Sequence, residues 1–328
     1  MKITINTYGA YISKKDDCFL ISIEDKKQEI SAKKVEQILI TTSAAISTDA
    51  ILMAVENNID IVFLRSNGSP YGRVWHSKLG SISTIRRNQL MLQDNKQGLD
   101  IVKEWIDIKI QNQIDLLKEL LTNRRDEERQ TMIRETIEKM TEQLTNIKKL
   151  KAKDIDEARY SIQGYEGTAG RMYFKILGQL LPEKYKFEGR SRNPAKDAFN
   201  CMLNYSYGVL YSQVEKACIL AGLDPYIGIM HTDNYNRQSL VYDITEMYRG
   251  YMDEIVFKLF SGKKVKDEYF DPVEGGIYLN KEGKQVLIEA INKAFAGKIK
   301  YKGKNMELQN TMQYECHQIA NKILKETV

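Results

Sequence analysis

The chain has no apolar run of the length, about eighteen residues, that a membrane-crossing helix needs. Its first residues, MKITINTYGAY, lack the apolar stretch of a signal peptide, which points to a cytoplasmic protein with no membrane partner. Cysteine is scarce. Cys18, Cys201, Cys218 and Cys316 form no CxxC pair, which argues against a zinc knuckle or a disulfide framework and suits a reducing compartment. His76, His231 and His317 are the only histidines, so imidazole chemistry has few candidates. No GxSxG elbow, Walker-type loop or dinucleotide fingerprint occurs. Cys316 and His317 are neighbours on a helical pattern and point apart, which makes them a poor dyad. What is present is ordinary for a globular protein: 42% hydrophobic and 28% charged residues over 328 positions, enough for two domains. The net charge of +5 permits a nucleic-acid partner without demanding one.

Two periodicities divide the chain. Lys2 to Thr7 alternates as a half-buried strand does, and Tyr11–Ser13 and Phe19–Ile23 flank a turn-rich Lys14-Lys15-Asp16-Asp17. Val35–Thr41, Ile59–Leu64 and Tyr71–Trp75 read as further strands, the last following the turn Ser66-Asn67-Gly68-Ser69-Pro70. Ser47 or Thr48 caps a short helix, Asp49–Asn57, with Ile51, Leu52 and Val55 expected inward. From Ser83 the period becomes helical, with no proline between Pro70 and Pro182. Ile101, Val102, Trp105, Ile106, Ile110, Ile114, Leu117, Leu120 and Leu121 trace one long face. After polar Asn123 to Arg129, Met132, Ile133, Ile137, Met140, Leu144 and Ile147 trace a second. The fold class is α+β in two domains: a small β-sandwich-like domain, residues 1–82, and a larger all-α domain of about seven to ten helices, residues 83–328.

Three helical-domain segments depart from ordinary packing patterns. In Gly164-Tyr165-Glu166-Gly167-Thr168-Ala169-Gly170 the glycines recur every three residues, each costing about 1 kcal/mol in a helix. They suit either close helix–helix packing or the approach of a nucleic-acid backbone beside Glu166. In Gly222-Leu223-Asp224-Pro225-Tyr226-Ile227-Gly228-Ile229-Met230-His231 a helix stop leads through apolar residues to a histidine, a core residue or a ligand. In the helix around Leu240–Arg249, Asp243, Glu246 and Arg249 share a face opposite Ile244, Met247, Tyr251 and Ile255. That face is a solvated edge or a set of metal ligands beside an anion-binding group. Together the three segments suggest a mixed oxygen and nitrogen site. Carboxylates suit Mg²⁺ or Mn²⁺, and an imidazole shifts the preference toward Mn²⁺.

These segments, in this order, resemble the catalytic subunit of the CRISPR adaptation complex, the integrase family that inserts new spacers into a repeat array. The likeness covers essentially the whole chain. It rests on Asp60-Ile61-Val62-Phe63-Leu64 leading to Gly68 and Gly72-Arg73-Val74, on Glu166 with Gly170, Arg171, Tyr173 and Phe174, and on Arg192-Asn193-Pro194 with Asp197 and Asn200. Tyr205-Ser206-Tyr207-Gly208, the string ending at His231 and the helix of Asp243, Glu246 and Arg249 complete it. The resemblance implies that Glu166, His231 and Glu246 are metal ligands for Mn²⁺ or Mg²⁺, with Asp243 an accompanying acidic partner and Arg249 a basic residue facing the DNA backbone. Tyr165, Tyr207 and Tyr242 would lie against the substrate strand, and Asn200 and Arg192 would shape or line the site. The implied reaction is attack by the 3′-hydroxyl of a DNA fragment on a repeat-boundary phosphodiester. The implied assembly is a homodimer joined through its β domains, with two dimers on a small second adaptation protein in a hetero-hexamer that holds double-stranded prespacer and repeat DNA.

Lysine clusters at 148–153, 263–266 and 298–304 fit a phosphate-tracking surface, whose affinity should fall steeply with salt. Two other readings compete. A repair or junction nuclease would use the same residues with water as nucleophile, and a non-catalytic scaffold would only hold DNA ends.

Overall fold

The computed structural model describes residues 1–65, 68, 70–74, 83–122, 126–192, 194–232, 235 and 237–325. Ser66, Asn67 and Ser69 of the expected turn, Trp75, His76, the boundary at residue 82, residues 123–125 of the polar interruption and Asn193 lie outside them.

Residues of β-branched and alternating character build the N-terminal part: β1 (Lys2–Ile5), β2 (Tyr11–Lys15), β3 (Cys18–Ile23), β4 (Lys26–Ser31), β5 (Gln37–Ile40), β6 (Ala45–Ile46), α1 (Thr48–Glu56), β7 (Asp60–Leu64) and β8 (Pro70–Val74). They form two four-stranded sheets, ordered β1-β5-β7-β8 and β4-β3-β2-β6. In the first, β1, β5 and β7 run parallel and β8 antiparallel. The β2–β3 hairpin closes as expected, with Asp16 in the left-handed region at φ 52°. Edge strand β4 was not legible, because Lys26–Ser31 is polar and largely exposed. Ile3, Ile12, Phe19, Ile38, Ile40 and Ile61 fill the space between the sheets and α1.

Ser47 caps α1, its hydroxyl accepting from the Ala50 N–H at 3.2 Å. The buried face of α1 is a correction to the expected one. Ala50, Met53 and Ala54 point inward, Ile51 and Val55 are half-buried, and Leu52 is exposed. The two alanines let the helix seat closely against the sheets, which bulkier side chains would hold off.

The remaining elements are α2 (Ser83–Leu90), α3 (Lys96–Thr122), α4 (Glu127–Lys149), α5 (Ile155–Leu180), α6 (Ala198–Ala221), α7 (Ser239–Thr245), α8 (Arg249–Ser261), β9 (Phe270–Val273), β10 (Gly276–Leu279), α9 (Lys281–Phe295), β11 (Lys298–Tyr301), β12 (Lys304–Glu307) and α10 (Leu308–Lys325). Nine α-helices are thus found here among the described residues, within the expected range. Asp126, Asp154 and Asp197 cap α4, α5 and α6 through backbone N–H groups, each worth about 1 kcal/mol. The central helix α6 is buried almost all round and ends at Gly222, φ 79°.

Two hairpins, β9–β10 and β11–β12, add strand structure that the helical reading did not include. Gly275 and Gly303 take the positive φ their turns require. Alternate lysines in Lys298–Lys304 therefore sit on a β-ribbon, not a helix.

Strands β5 and β7 are buried on both faces. Ile38, Ile40 and Ile61 join the small core, while Leu39, Val62 and Leu64 join the large helical one. A polar network crosses the same boundary. Arg73 donates to Asp60 Oδ2 and to Glu215 Oε2, both at 2.7 Å, and to the Ser212 carbonyl. Gln238, just before α7, donates to the other oxygen of Glu215. The β sheet is thereby tied to α6 and, through Gln238, to the start of α7.

Candidate active site

The segment 223–231 is pinned by groups from three sides. Gln89 donates to the Asp224 and Ile227 carbonyls, and Gln93 to that of Gly228, each at 2.8 Å, while Arg159 donates to the Met230 carbonyl. A Cβ on Gly228 would lie 2.5 Å from Ser239 Cβ and 2.6 Å from the His231 carbonyl oxygen, so only glycine allows this close approach to α7. The approach lets Asp243 gather the segment's backbone. Its oxygens accept from the N–H groups of Ile229, Met230 and His231 at 2.7 to 3.0 Å. Its Oδ1 also lies 2.6 Å from His231 Nδ1, which leaves Nε2 as the free ring nitrogen. Asp243 is fully buried beneath the imidazole.

Glu246 does not continue α7. It opens a 3₁₀ turn, Glu246–Tyr248, before α8 resumes at Arg249. The face it shares with Asp243 is buried, which overturns the solvated-edge reading. Glu246 pairs with Arg249 at 3.0 Å, and with the ammonium of Lys109 from α3, which also pairs with Glu166 from α5. Burial alone would raise the Glu246 pKa, but Arg249 and Lys109 outweigh it and hold the carboxyl at about 2. By the same balance, burial would lower the Lys109 pKa, and the two carboxylates raise it instead.

Glu166, His231 and Glu246 line one cleft of about 1010 Å³, whose wall also carries Arg65, Arg73, Arg190, Arg192, Arg237 and Arg249. The same three residues reach a cavity of about 260 Å³ behind it. Among the described residues no three carboxylate, thiolate or imidazole groups are drawn close enough to hold a metal together. The donor chemistry nevertheless fits a divalent cation. The carboxyl groups of Glu166 and Glu246 flank a position already filled by a positive group, the Lys109 ammonium, and an oriented imidazole stands beside them.

The family model described as CRISPR associated protein Cas1 matches residues 3–293. The chain belongs to the Cas1 family. A CRISPR-associated endonuclease Cas1 of Archaeoglobus fulgidus is 31% identical, covering 93% of this chain and 91% of its own. One from Saccharolobus solfataricus is 32% identical, over 91% and 86%. Among solved structures, a Cas1 protein of Thermotoga maritima superposes with a TM-score of 0.82 at 20% identity, covering 99% of this chain and 97% of its own. A casposase bound to an integration product gives 0.82 at 21%, over 99% and 91%. The chain of a Cas6-RT-Cas1–Cas2 complex gives 0.79 at 21%, over 99% of this chain and 35% of that one. The strand-then-helix architecture is that of the family, whose relatives here carry the name CRISPR-associated endonuclease.

On this Cas1 scaffold the expected residues fall into three groups. Glu166, His231, Glu246, Arg249, Tyr207, Tyr242 and Arg192 line the cleft. Asp243 is behind it, hydrogen-bonded to the His231 ring. Asn200 does not line the cleft: it is fully buried and its Oδ1 accepts from Arg190, because Asp197 caps α6 and turns Asn200 inward. Tyr165 packs against the large core and does not line the cleft either. The glycines at 164, 167 and 170 are not a packing device, unlike Gly178, which packs on the Phe187 backbone. A Cβ at Gly164 would meet nothing within 4 Å, and one at Gly167 only Arg171. They leave the helix surface beside Glu166 low and open. Lys109, Arg190 and Tyr211 line the cleft too, yet carried no motif. Lys109 had one signal, a lysine on the buried stripe between Ile106 and Ile110.

Proposed function

We propose that Glu166, His231 and Glu246 hold a divalent ion, Mn²⁺ or Mg²⁺, and that the chain joins the 3′-hydroxyl of a DNA fragment to a phosphodiester at a CRISPR repeat boundary. The convergence of these three residues, from α5, the 223–231 segment and the 3₁₀ turn, on one arginine-lined cleft carries the reading. Such an ion supplies Lewis acidity at a phosphate oxygen and a place for the attacking hydroxyl. The chain's own residues do the rest. Asp243 fixes the imidazole tautomer and ring plane, which spares His231 a reorientation cost on binding. Arg249 holds the Glu246 carboxylate in place at 3.0 Å. The open helix surface at Gly164 and Gly167 gives a DNA backbone room beside Glu166. Cleft arginines supply phosphate contacts that are blind to sequence.

The partners follow the same reading: double-stranded prespacer and repeat DNA, a second copy of the chain paired through the 1–82 β domain, and Cas2 joining two dimers in a hexamer. The neighbours caught on an integration product and in an assembly with Cas2 support it. No helix among the described residues is long and apolar enough to cross a membrane. A cytoplasmic site of action accords with array DNA as the target.

A strand-transfer assay tests the proposal. A short duplex with free 3′-hydroxyls is mixed with a supercoiled plasmid carrying a repeat, with Mn²⁺, with and without Cas2. The wild type should join duplex to plasmid and Glu246→Ala should not. Cleavage without joining would replace this reading with a junction or repair nuclease. DNA binding with no reaction would leave a scaffold.

A further inference from the structure

The wall of the cleft beside Glu246 carries a stack of side chains. The Arg249 guanidinium lies 5.0 Å from the centre of the Tyr207 ring, and that of Arg190 lies 5.3 Å from it. Arg190 is also 5.3 Å from the Phe174 ring. Its terminal nitrogens donate to Asn200 Oδ1 and, at 2.8 Å, to Asn204 Oδ1. The Tyr207 hydroxyl turns away from DNA-contact duty and donates to Asp253 Oδ1 at 2.5 Å, a fully buried carboxyl on α8.

The two arginines differ in what neutralises them. Arg249 has the Glu246 carboxylate at 3.0 Å. Arg190 has amide oxygens and ring faces, and among the described residues no carboxylate within ion-pair distance. Burial and the guanidiniums of Arg249 and Arg192 disfavour its charged form, while Tyr207 and Asp253 favour it. Three of the five N–H donors of Arg190 remain for another acceptor. Its planar group is already fixed by two amides and two rings, so little side-chain freedom is lost when an anion binds.

We propose that, of the two guanidiniums stacked on the Tyr207 ring, Arg190 is the one whose charge is free for a DNA phosphate, and that Tyr207, anchored on Asp253, is the positioning residue that keeps it there. Arg249, by contrast, spends its charge on Glu246. The proposal rests on the DNA reading above.

The test is fluorescence anisotropy of a labelled duplex with the full-length chain, with log Kd plotted against log NaCl concentration. Arg190→Gln should lower the salt slope by about one phosphate contact and weaken binding about tenfold near 0.1 M salt, with an unchanged melting temperature. A wild-type slope in Arg190→Gln would overturn the proposal. Tyr207→Leu should show the same loss, and the double variant no more than either alone. Additive losses would remove Tyr207 from its positioning role. Tyr207→Phe keeps the ring's volume, and hence the fold, if the leucine variant does not. It should bind about threefold more weakly, because the anchor is gone. Wild-type affinity in it would overturn the part given to Asp253. If the wild type itself bound duplex without salt dependence, or not at all, the DNA reading would fall and this proposal with it.

Discussion

Glu246 and Asp253 lie about two helical turns apart, and water reaches neither freely. Burial pushes both carboxyls toward their neutral form, yet their pKa values move in opposite directions. Glu246 has Lys109 and Arg249 against it and is held at about 2. Asp253 is pushed up to about 6 by burial, and the hydroxyl hydrogen bond from Tyr207 offsets that only in part. Burial sets the penalty for charge, and the neighbours decide whether it is met. The first region is built to hold charge for chemistry. The second is a polar support beneath the cleft wall.

The sharpest way to break this contrast is Lys109→Met. Without the ammonium, Glu166 and Glu246 lose their shared partner, and urea unfolding at pH 7 should show a loss of about 3–5 kcal/mol. Added Mn²⁺ should return more stability to this variant than to the wild type. Equal stability of the two proteins without added metal would mean that Lys109 does not neutralise the pair.

Asp253→Asn probes the other region. The folded-state pKa of Asp253, about 6, lies above the ordinary 3.8, so the folded protein holds this proton more tightly. The stability linked to it is fully present below about pH 4 and is lost as pH rises through 6. The variant lacks that loss. Its stability relative to the wild type should therefore grow across the window by about 3 kcal/mol, read by unfolding at a series of pH values. Parallel pH profiles would show that Asp253 is ionised throughout.

Asp243→Asn comes next. The imidazole loses its carboxylate partner, and Mn²⁺ affinity should fall about 10- to 100-fold in a metal titration followed by thermal shift. Unchanged affinity would detach Asp243 from the metal reading. The smallest effect belongs to Glu254→Gln, next to Asp253 but turned outward. Its pair with Lys258 at 2.5 Å is partly exposed, so the change should cost no more than about 0.5 kcal/mol by the same unfolding measurement. A larger cost would mean that position on α8, and not burial, governs these carboxylates.

Much of this architecture can be read along the chain. The alternating strand β1, the hairpin strand β3, the β-branched run of β7, the Ser47 cap and the stripe of α3 all follow from side-chain spacing and local hydrogen bonding. Polar edge strand β4 and the hairpins β9–β10 and β11–β12 were not legible, because almost none of their residues are buried and no core-facing side marks them. Glu166, His231 and Glu246 stood out through odd glycines and a shared face, and all three line the cleft. Tyr165, expected against the substrate strand, packs against the large core, and Asn200 does not line the cleft but holds Arg190, which does.

The sequence by itself determined the change from strands to helices along the chain, the capping of α1, the stripe of α3 and the family, since each depends on residues near one another in the chain. Only the tertiary structure decided that Lys109 lies between Glu166 and Glu246, that Asp243 orients His231 from below, and that Arg190 stacks on a ring anchored to Asp253. Those pairings join residues from different elements. Electrostatic strength depends on distance and on the exclusion of water, and neither exists until the elements have packed.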